Sequence, residues 1–255
     1  MAQTAGPVQL KPQTTDAFEA YVREAETKMT PGLEGREPFL WSDLVSQKTQ
    51  QVRKGKIVAE LWAGKGLVHV PDGLIHDWVG AAWIPGTTVK ETLLLVQDYD
   101  NHKHVYKPDV IDSKLLSHQG DEFKIYLRLL KKKILTVILD TYHDVHYSHL
   151  GPTRWFLRSY TTSISEVENA GKPNEKVVPP DTGYGFLWRL DSYWRFEERE
   201  GGVCVEVRAI SLTRDVPTGL GWIIEPIVRK LPKQSLISTL AATRQALSSK
   251  VASPC

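Results

Sequence analysis

The chain has 255 residues, 41% of them hydrophobic and 24% charged, with a formal net charge of +2. That balance is ordinary for a globular protein, and so small a charge, spread over dispersed Lys and Arg, gives no field for nucleic acid. Its two cysteines, Cys204 and Cys255, are expected as free thiols, since they make neither a disulfide framework nor a metal set, and no apolar run is long enough to span a bilayer.

The first fifteen or so residues are polar with two prolines and are expected to be loosely attached. Thr15-Asp16 then caps a helix predicted over 17–29, which Pro31-Gly32 stops, and a second helix is predicted from Ser42-Asp43 to Arg53. Strands are expected over 57–62 and 66–70, then, after the turn Pro71-Asp72-Gly73, over 74–84 with Trp78 and Trp83. Thr87-Thr88 can cap a helix over 89–99, with Glu91 in its first turn, and Asp98-Tyr99-Asp100-Asn101-His102 breaks it.

After Pro108 the pattern changes to period two, and strands are predicted over 110–117, 122–130, 134–147, 154–167, 185–198 and 203–214. The run Lys131-Lys132-Lys133 falls between two of them. It reads as a solvated turn, with a transient contact with an anionic membrane surface as the second reading. A final helix is expected over 218–249, interrupted by Pro226 and Pro232. No charged-then-apolar leader opens the chain, and Met1-Ala2-Gln3-Thr4-Ala5 suits either a cytoplasmic protein or an exported one whose signal peptide is absent from this sequence.

The last two strands give the sheet its faces. Phe186, Trp188, Leu190, Trp194 and Phe196 alternate with Arg189, Asp191, Arg195 and Glu197, and Val203, Val205, Val207 and Ala209 alternate with Glu206 and Arg208. With Gly201-Gly202 as a two-residue turn, Trp194 would lie opposite Ala209 and Arg195 opposite Arg208. One face is then apolar and the other charged and wet. Leu236, Leu240 and Leu247 recur at helical spacing and make the final helix the cover for the apolar face. Small Ala209, Ser192 and Ser211 among large aromatics suggest a hollow beneath it.

His143, His146 and His149 invite a metal, but at spacing three on a strand His143 and His146 point to opposite faces. Asp140, Tyr142, Arg158, Tyr160, Arg189 and Asp191 could serve carbonyl polarisation or proton transfer if they faced the hollow. An outer charge ladder accounts better for Arg189 and Asp191. Pro217-Thr218-Gly219-Leu220-Gly221-Trp222 reads as an N-cap and loop, or as a hinge with Trp222 as a gate.

The stretch from Thr87 to Asn101, TTVKETLLLVQDYDN, followed by Tyr106-Lys107-Pro108, carries a resemblance, as do Trp188–Arg199 (WRLDSYWRFEER) and Ile210–Trp222 (ISLTRDVPTGLGW). In element order and texture the tract resembles the START-like, or SRPBCC, superfamily, which includes lipid-transfer domains and polyketide cyclases, and looks like a bacterial branch of it. The resemblance implies an α+β helix-grip fold, a curved antiparallel sheet wrapped around a long C-terminal helix. Residues 1–65 form an N-terminal extension to a domain over 66–250.

The expected ligand cavity takes Phe123, Ile125, Leu127, Arg158, Tyr160, Trp188, Leu190, Trp194, Phe196, Val205, Val207 and Ala209 from the sheet, with Trp222, Ile227, Leu231, Leu236 and Leu240 from the final helix. The expected partner is a hydrophobic small molecule, lipid-like or polycyclic, bound or carried without a cofactor, a metal or nucleic acid. The alternative is an aromatase/cyclase- or hydratase-type enzyme using polar groups in the same cavity.

Overall fold

The computed structural model describes residues 6–62, 67–132, 136–215 and 221–251, and of 221–230, 250 and 251 the backbone alone. A short strand, β1 (Val8–Gln9), precedes helix α1 (Pro12–Leu33), and a 3₁₀ turn (Trp41–Leu44) leads to α2 (Ser46–Arg53). Next come β2 (Val58–Leu61), β3 (Val68–Val70), β4 (Gly73–Pro85) and α3 (Val89–Val96), then a 3₁₀ turn (Tyr99–Asn101) and α4 (His102–Val105). The meander runs through β5 (Val110–Gln119), β6 (Glu122–Lys132), β7 (Thr136–Gly151), β8 (Arg154–Glu168), β9 (Lys176–Val177), β10 (Thr182–Gly183), β11 (Arg189–Arg199) and β12 (Gly202–Arg214), before the long helix α5 (Gly221–Val251).

Local chemistry explains the two helix starts that matter here. Thr88 accepts from Glu91 N while the Glu91 carboxylate accepts from Thr88 N at 2.8 Å, a complete capping box that opens α3. Helix α1 starts earlier than Thr15-Asp16 would suggest, because Pro12 takes its first turn, where a missing N–H costs nothing. At the other end of the chain, the backbone of α5 stays helical through Pro226 and Pro232, where an interruption was expected.

All pairings in the main sheet are antiparallel, in the order β2-β4-β12-β11-β8-β7-β6-β5, with β3 also on β4 and β9 on β8. The β11–β12 hairpin turns at Glu200-Gly201, both at positive φ, rather than at Gly201-Gly202. Trp194 therefore pairs with Val207, and Arg195 with Glu206, not with Arg208. A slip of two residues keeps every side chain on its expected face and replaces a repulsive cross-strand pair with an attractive one.

The two faces are both covered. On the concave side Trp78, Ala82, Ile84, Phe196, Val203, Val205 and Val207 pack with Leu93 and Val96 of α3 and with Leu236, Leu240 and Leu247 of α5. On the convex side Phe18, Val22, Ala25 and Met29 of α1 lie over Ile75, Phe156, Tyr193, Ile210 and Leu212, while Phe39, Leu40 and Trp41 cover Val79, Ala81 and Cys204. The face expected to be wet is buried. Its charges are answered by the N-terminal region: Glu206 accepts from Trp41 N at 2.9 Å and Ser42 N at 3.1 Å, and Tyr21 OH donates to Asp77 at 2.8 Å. Burial raises the Glu206 carboxyl above its ordinary pKa, and the same cause raises Asp191 to about 7. Among the described residues no helix is long and apolar enough to cross a membrane.

Candidate functional site

Helix α5 changes role along its length. Around Leu240 and Leu247 it belongs to the concave core, but its stretch from Leu231 to Ala242 also roofs a cavity of about 900 Å³. The floor is the concave face of the sheet, from His76 on β4 across Val207, Ala209 and Ser211 on β12, Leu190, Ser192 and Trp194 on β11, Leu157 and Ser159 on β8, to Leu139, His143 and Val145 on β7 and Ile125, Leu127 and Leu129 on β6. One side wall is the segment from Val96 to Val110, including Tyr99, His102 and Tyr106. The mouth is rimmed by Lys107, Asp109, Lys131, Arg214, Asp215, Tyr184 and Phe186. Tyr184 and Phe186 are exposed, with ring centroids 5.7 Å apart.

The aromatic loop at the mouth is fixed from below. Successive amides of Tyr184, Gly185 and Phe186 donate to the Glu166 carboxylate at 2.9, 2.9 and 3.2 Å, an anion-binding nest filled by the chain's own acid. Gly185 sits there at φ +74 where a Cβ would meet Arg214 Cβ at 2.6 Å, so only glycine fits.

Polar groups of the wall are held neutral. His102 Nε2 donates to Val96 O at 3.1 Å, and Tyr99 and Tyr147 share a hydroxyl–hydroxyl bond of 2.8 Å beside it. Burial lowers His102 and His143 to about 4 and pushes Tyr106 up to about 12. On β7, Thr141 Oγ1 gives its proton to Leu127 O at 3.0 Å and lies 2.9 Å from His143 Nε2. The hydroxyl has only one proton, so in that bond it accepts and His143 Nε2 donates. The His143 Nδ1 is then a lone-pair acceptor, buried and without a hydrogen-bond partner among the described residues.

Of the residues expected in the cavity, Ile125, Leu127, Leu190, Trp194, Val207, Ala209, Leu231 and Leu236 line it together. Phe123, Phe196, Val205 and Leu240 are on the same side but in the packed core next to it. Arg158, Tyr160 and Trp188 lie on the convex face instead. Arg158 pairs with Tyr193 across β8–β11, and the hydroxyls of Tyr160 and Tyr193 both donate to Glu26 of α1. Trp188 precedes β11, whose ladder begins at Arg189 opposite Leu212; its N–H donates to Leu212 O, and the alternation of the strand does not extend to it. The side chains of Trp222 and Ile227 lie outside the described residues, as do 216–220 of the expected hinge.

His143 and His146 do point apart, His143 into the cavity wall and His146 to Glu122 at 2.6 Å on the other face. The wall residues that the sequence pattern did not assign, Leu139, His143 and Val145, carry the alternation of β7 itself. Ser192 and Ser211 were legible only as gaps between large side chains, and Ser159 gave no signal.

No protein-family model matches the chain, and no curated protein matches it at the level of sequence. Among solved structures it is similar to the STAR-related lipid transfer protein of Xanthomonas axonopodis (TM-score 0.50, 16% identity, covering 72% of this chain and 98% of that one). A protein from Thermus thermophilus gives a TM-score of 0.48 at 14% identity, over 68% of this chain and 97% of its own. The Zhui aromatase/cyclase from a Streptomyces species gives 0.45 at 8% identity, over 69% and 96%. At such identities the likeness is one of fold. The chain has the START-like helix-grip fold.

Proposed function

We propose that this protein binds or carries a hydrophobic small molecule, lipid-like or polycyclic, in the hollow between the sheet and α5. The observation that carries the reading is the hollow itself, about 900 Å³ and walled mainly by aliphatic side chains and Trp194. That volume lies in the range of small-molecule sites, and such sites are mostly apolar with a few placed polar groups. Ile125, Leu127, Leu190, Trp194, Val207 and Ala209 would form the wall, with Leu231 and Leu236 as the cover. Affinity would come from apolar burial at about 25 cal/mol per Å², less the cost of ordering the ligand. A structural neighbour named for lipid transfer has the same fold, which agrees with this reading. The exposed Tyr184 and Phe186, which with Lys107 line the hollow, favour a transient contact with a membrane surface, where apolar cargo can pass without crossing water.

Native mass spectrometry of gently purified full-length protein tests the reading. A bound hydrophobic molecule of several hundred daltons, or stoichiometric uptake of an added fluorescent lipid, is the expected result. Protein that stays bare after incubation with lipids and polycycles would sink it.

A further inference from the structure

The cavity floor is not uniformly apolar. Ser159 and Ser192 stand directly opposite each other on β8 and β11, Ser192 is paired with Ala209 on β12, and Ser211 follows on the same face of β12. Ser159 and Ser211 are 8% and 7% exposed, all three serines line the hollow, and their hydroxyls have no hydrogen-bond partner among the described residues. The buried threonines 14, 92, 141 and 243 each donate to a backbone carbonyl and Thr87 donates to Glu91, while Ser42 Oγ, outside the hollow, is also unbonded. Hydroxyls that open into the hollow with no partner in the chain are left for water or a ligand to bond.

A second, independent observation points the same way. His143, 5% exposed and on the same floor, has its proton fixed on Nε2 by the Thr141–Leu127 relay, and its Nδ1 is an acceptor with no partner among the described residues. Charge is absent from this floor. The charged lining residues are half-buried or exposed at the mouth, where Lys131 pairs with Asp109 at 2.8 Å and Arg214 donates to Gly6 O at 2.9 Å. A carboxylate or phosphate carried to the floor would be desolvated with no cation to meet it.

We infer that the ligand is an uncharged molecule with two or more neighbouring oxygens, at least one of them a hydroxyl, which it seats on Ser159, Ser192 and Ser211 beside His143. The inference rests on the cavity being the ligand site and adds the chemistry of what the site selects. Neighbouring strands are about 4.8 Å apart, so Ser159 and Ser192 can bond adjacent oxygens of one small head. The apolar remainder then lies against the aliphatic lining, Ile125, Leu127 and Leu231 among it.

Three probes with tails of matched length test this when delivered from cyclodextrin at neutral pH and compared by native mass spectrometry: 1-oleoylglycerol, oleate and 1-octadecene. The expected order puts 1-oleoylglycerol at least about tenfold tighter than the other two. In Ser159→Ala/Ser192→Ala/Ser211→Ala that preference should fall about tenfold or more, with 1-octadecene unaffected. The variant should keep its melting temperature, because it deletes only unbonded hydroxyls; Ser192→Ala alone, expected to lose severalfold, serves if the triple change disturbs folding. Oleate binding as tightly as 1-oleoylglycerol, or the triple variant keeping its preference, would overturn this inference and leave the cavity reading standing. Failure of all three probes and of an added polycycle to bind would overturn both.

Discussion

Arg208 grips Asp77 through two hydrogen bonds, Nε to Oδ1 at 2.9 Å and Nη2 to Oδ2 at 2.6 Å, with both side chains at most 5% exposed. The guanidinium also lies over Trp62, 4.0 Å from the ring centroid. This pair is on the convex face under α1, where removal of one partner strands a buried charge. Arg208→Met should cost about 3–5 kcal/mol, and Arg208→Met/Asp77→Leu should recover much of it, since a buried ion pair adds little over well-packed apolar side chains. Urea unfolding of the two single variants and the double gives the coupling. No recovery in the double would mean that Trp62 and Tyr21, rather than the ion pair, hold this face together.

Three buried groups set opposing pH dependences. His102 and His143 titrate near 4 in the folded protein, against 6.5 for a free imidazole, so the unfolded chain takes up protons first. Their contribution is complete above about pH 6.5 and is lost as the pH falls toward 4. Asp191 runs the other way: its folded value near 7, raised from 3.8 by desolvation, means that the native state holds a proton the unfolded chain has released, and stability is lost as the pH rises from 4 to 7. Asp191→Asn, which still accepts from Thr161 N, should therefore raise the melting temperature by several degrees at about pH 8 and leave it unchanged near pH 4, because each tenfold difference in proton affinity between the two states is worth about 1.4 kcal/mol. An equal gain at both pH values would assign the effect to packing rather than ionisation.

How much of this was written in the sequence depends on what alternation can report. Trp194, Phe196, Val205 and Val207 alternate with Arg195, Glu197, Glu206 and Arg208, and the sheet keeps those two sets apart. Alternation separates faces but does not say what covers the polar one. Glu206 finds its donors at Trp41 and Ser42, 165 and 164 positions away, a contact that no local pattern contains. Register depended on which two residues made the turn, and Glu200-Gly201 was hidden by the more obvious Gly201-Gly202. Trp188 departs from the expected face because β11 begins only at Arg189, so the strand's period does not reach it. The polar floor of the cavity was hardest to read, since a serine on an inward face and a serine on an outward face look alike in one sequence.

The close approach of α5 to β4 is set by Gly80. A Cβ there would stand 3.0 Å from Leu240 Cδ1, 3.1 Å from Leu236 Cδ2 and 3.0 Å from the backbone oxygen of Val58. The leucine ends can turn away, but the Val58 carbonyl belongs to β2 and can yield only if that strand moves. Gly80→Ala should destabilise by about 1–3 kcal/mol, and Gly80→Val by more, because its branches reach the leucines as well. Thermal unfolding checks this. An unchanged melting temperature in Gly80→Val would show that β2 and α5 separate from β4 at no cost.

Trp194 and Trp188 offer the sharpest separation of cavity from core, since the sequence pattern grouped them and the fold puts them on opposite faces. Trp194 lines the hollow, with its ring stacked 6.0 Å from Phe196, and is only partly buried. Trp188 is 4% exposed in the convex core under α1 and does not line the hollow. Trp194→Ala should weaken uptake of a fluorescent lipid by about tenfold or more, as one large apolar contact is lost, while stability changes little. Trp188→Ala should do the reverse, costing about 3–5 kcal/mol of stability and leaving the affinity of the folded protein as it was. Measured together, lipid titration and urea unfolding of the two variants assign each face its role. Equal loss of binding in both would mean that the convex core, not the hollow alone, governs the site.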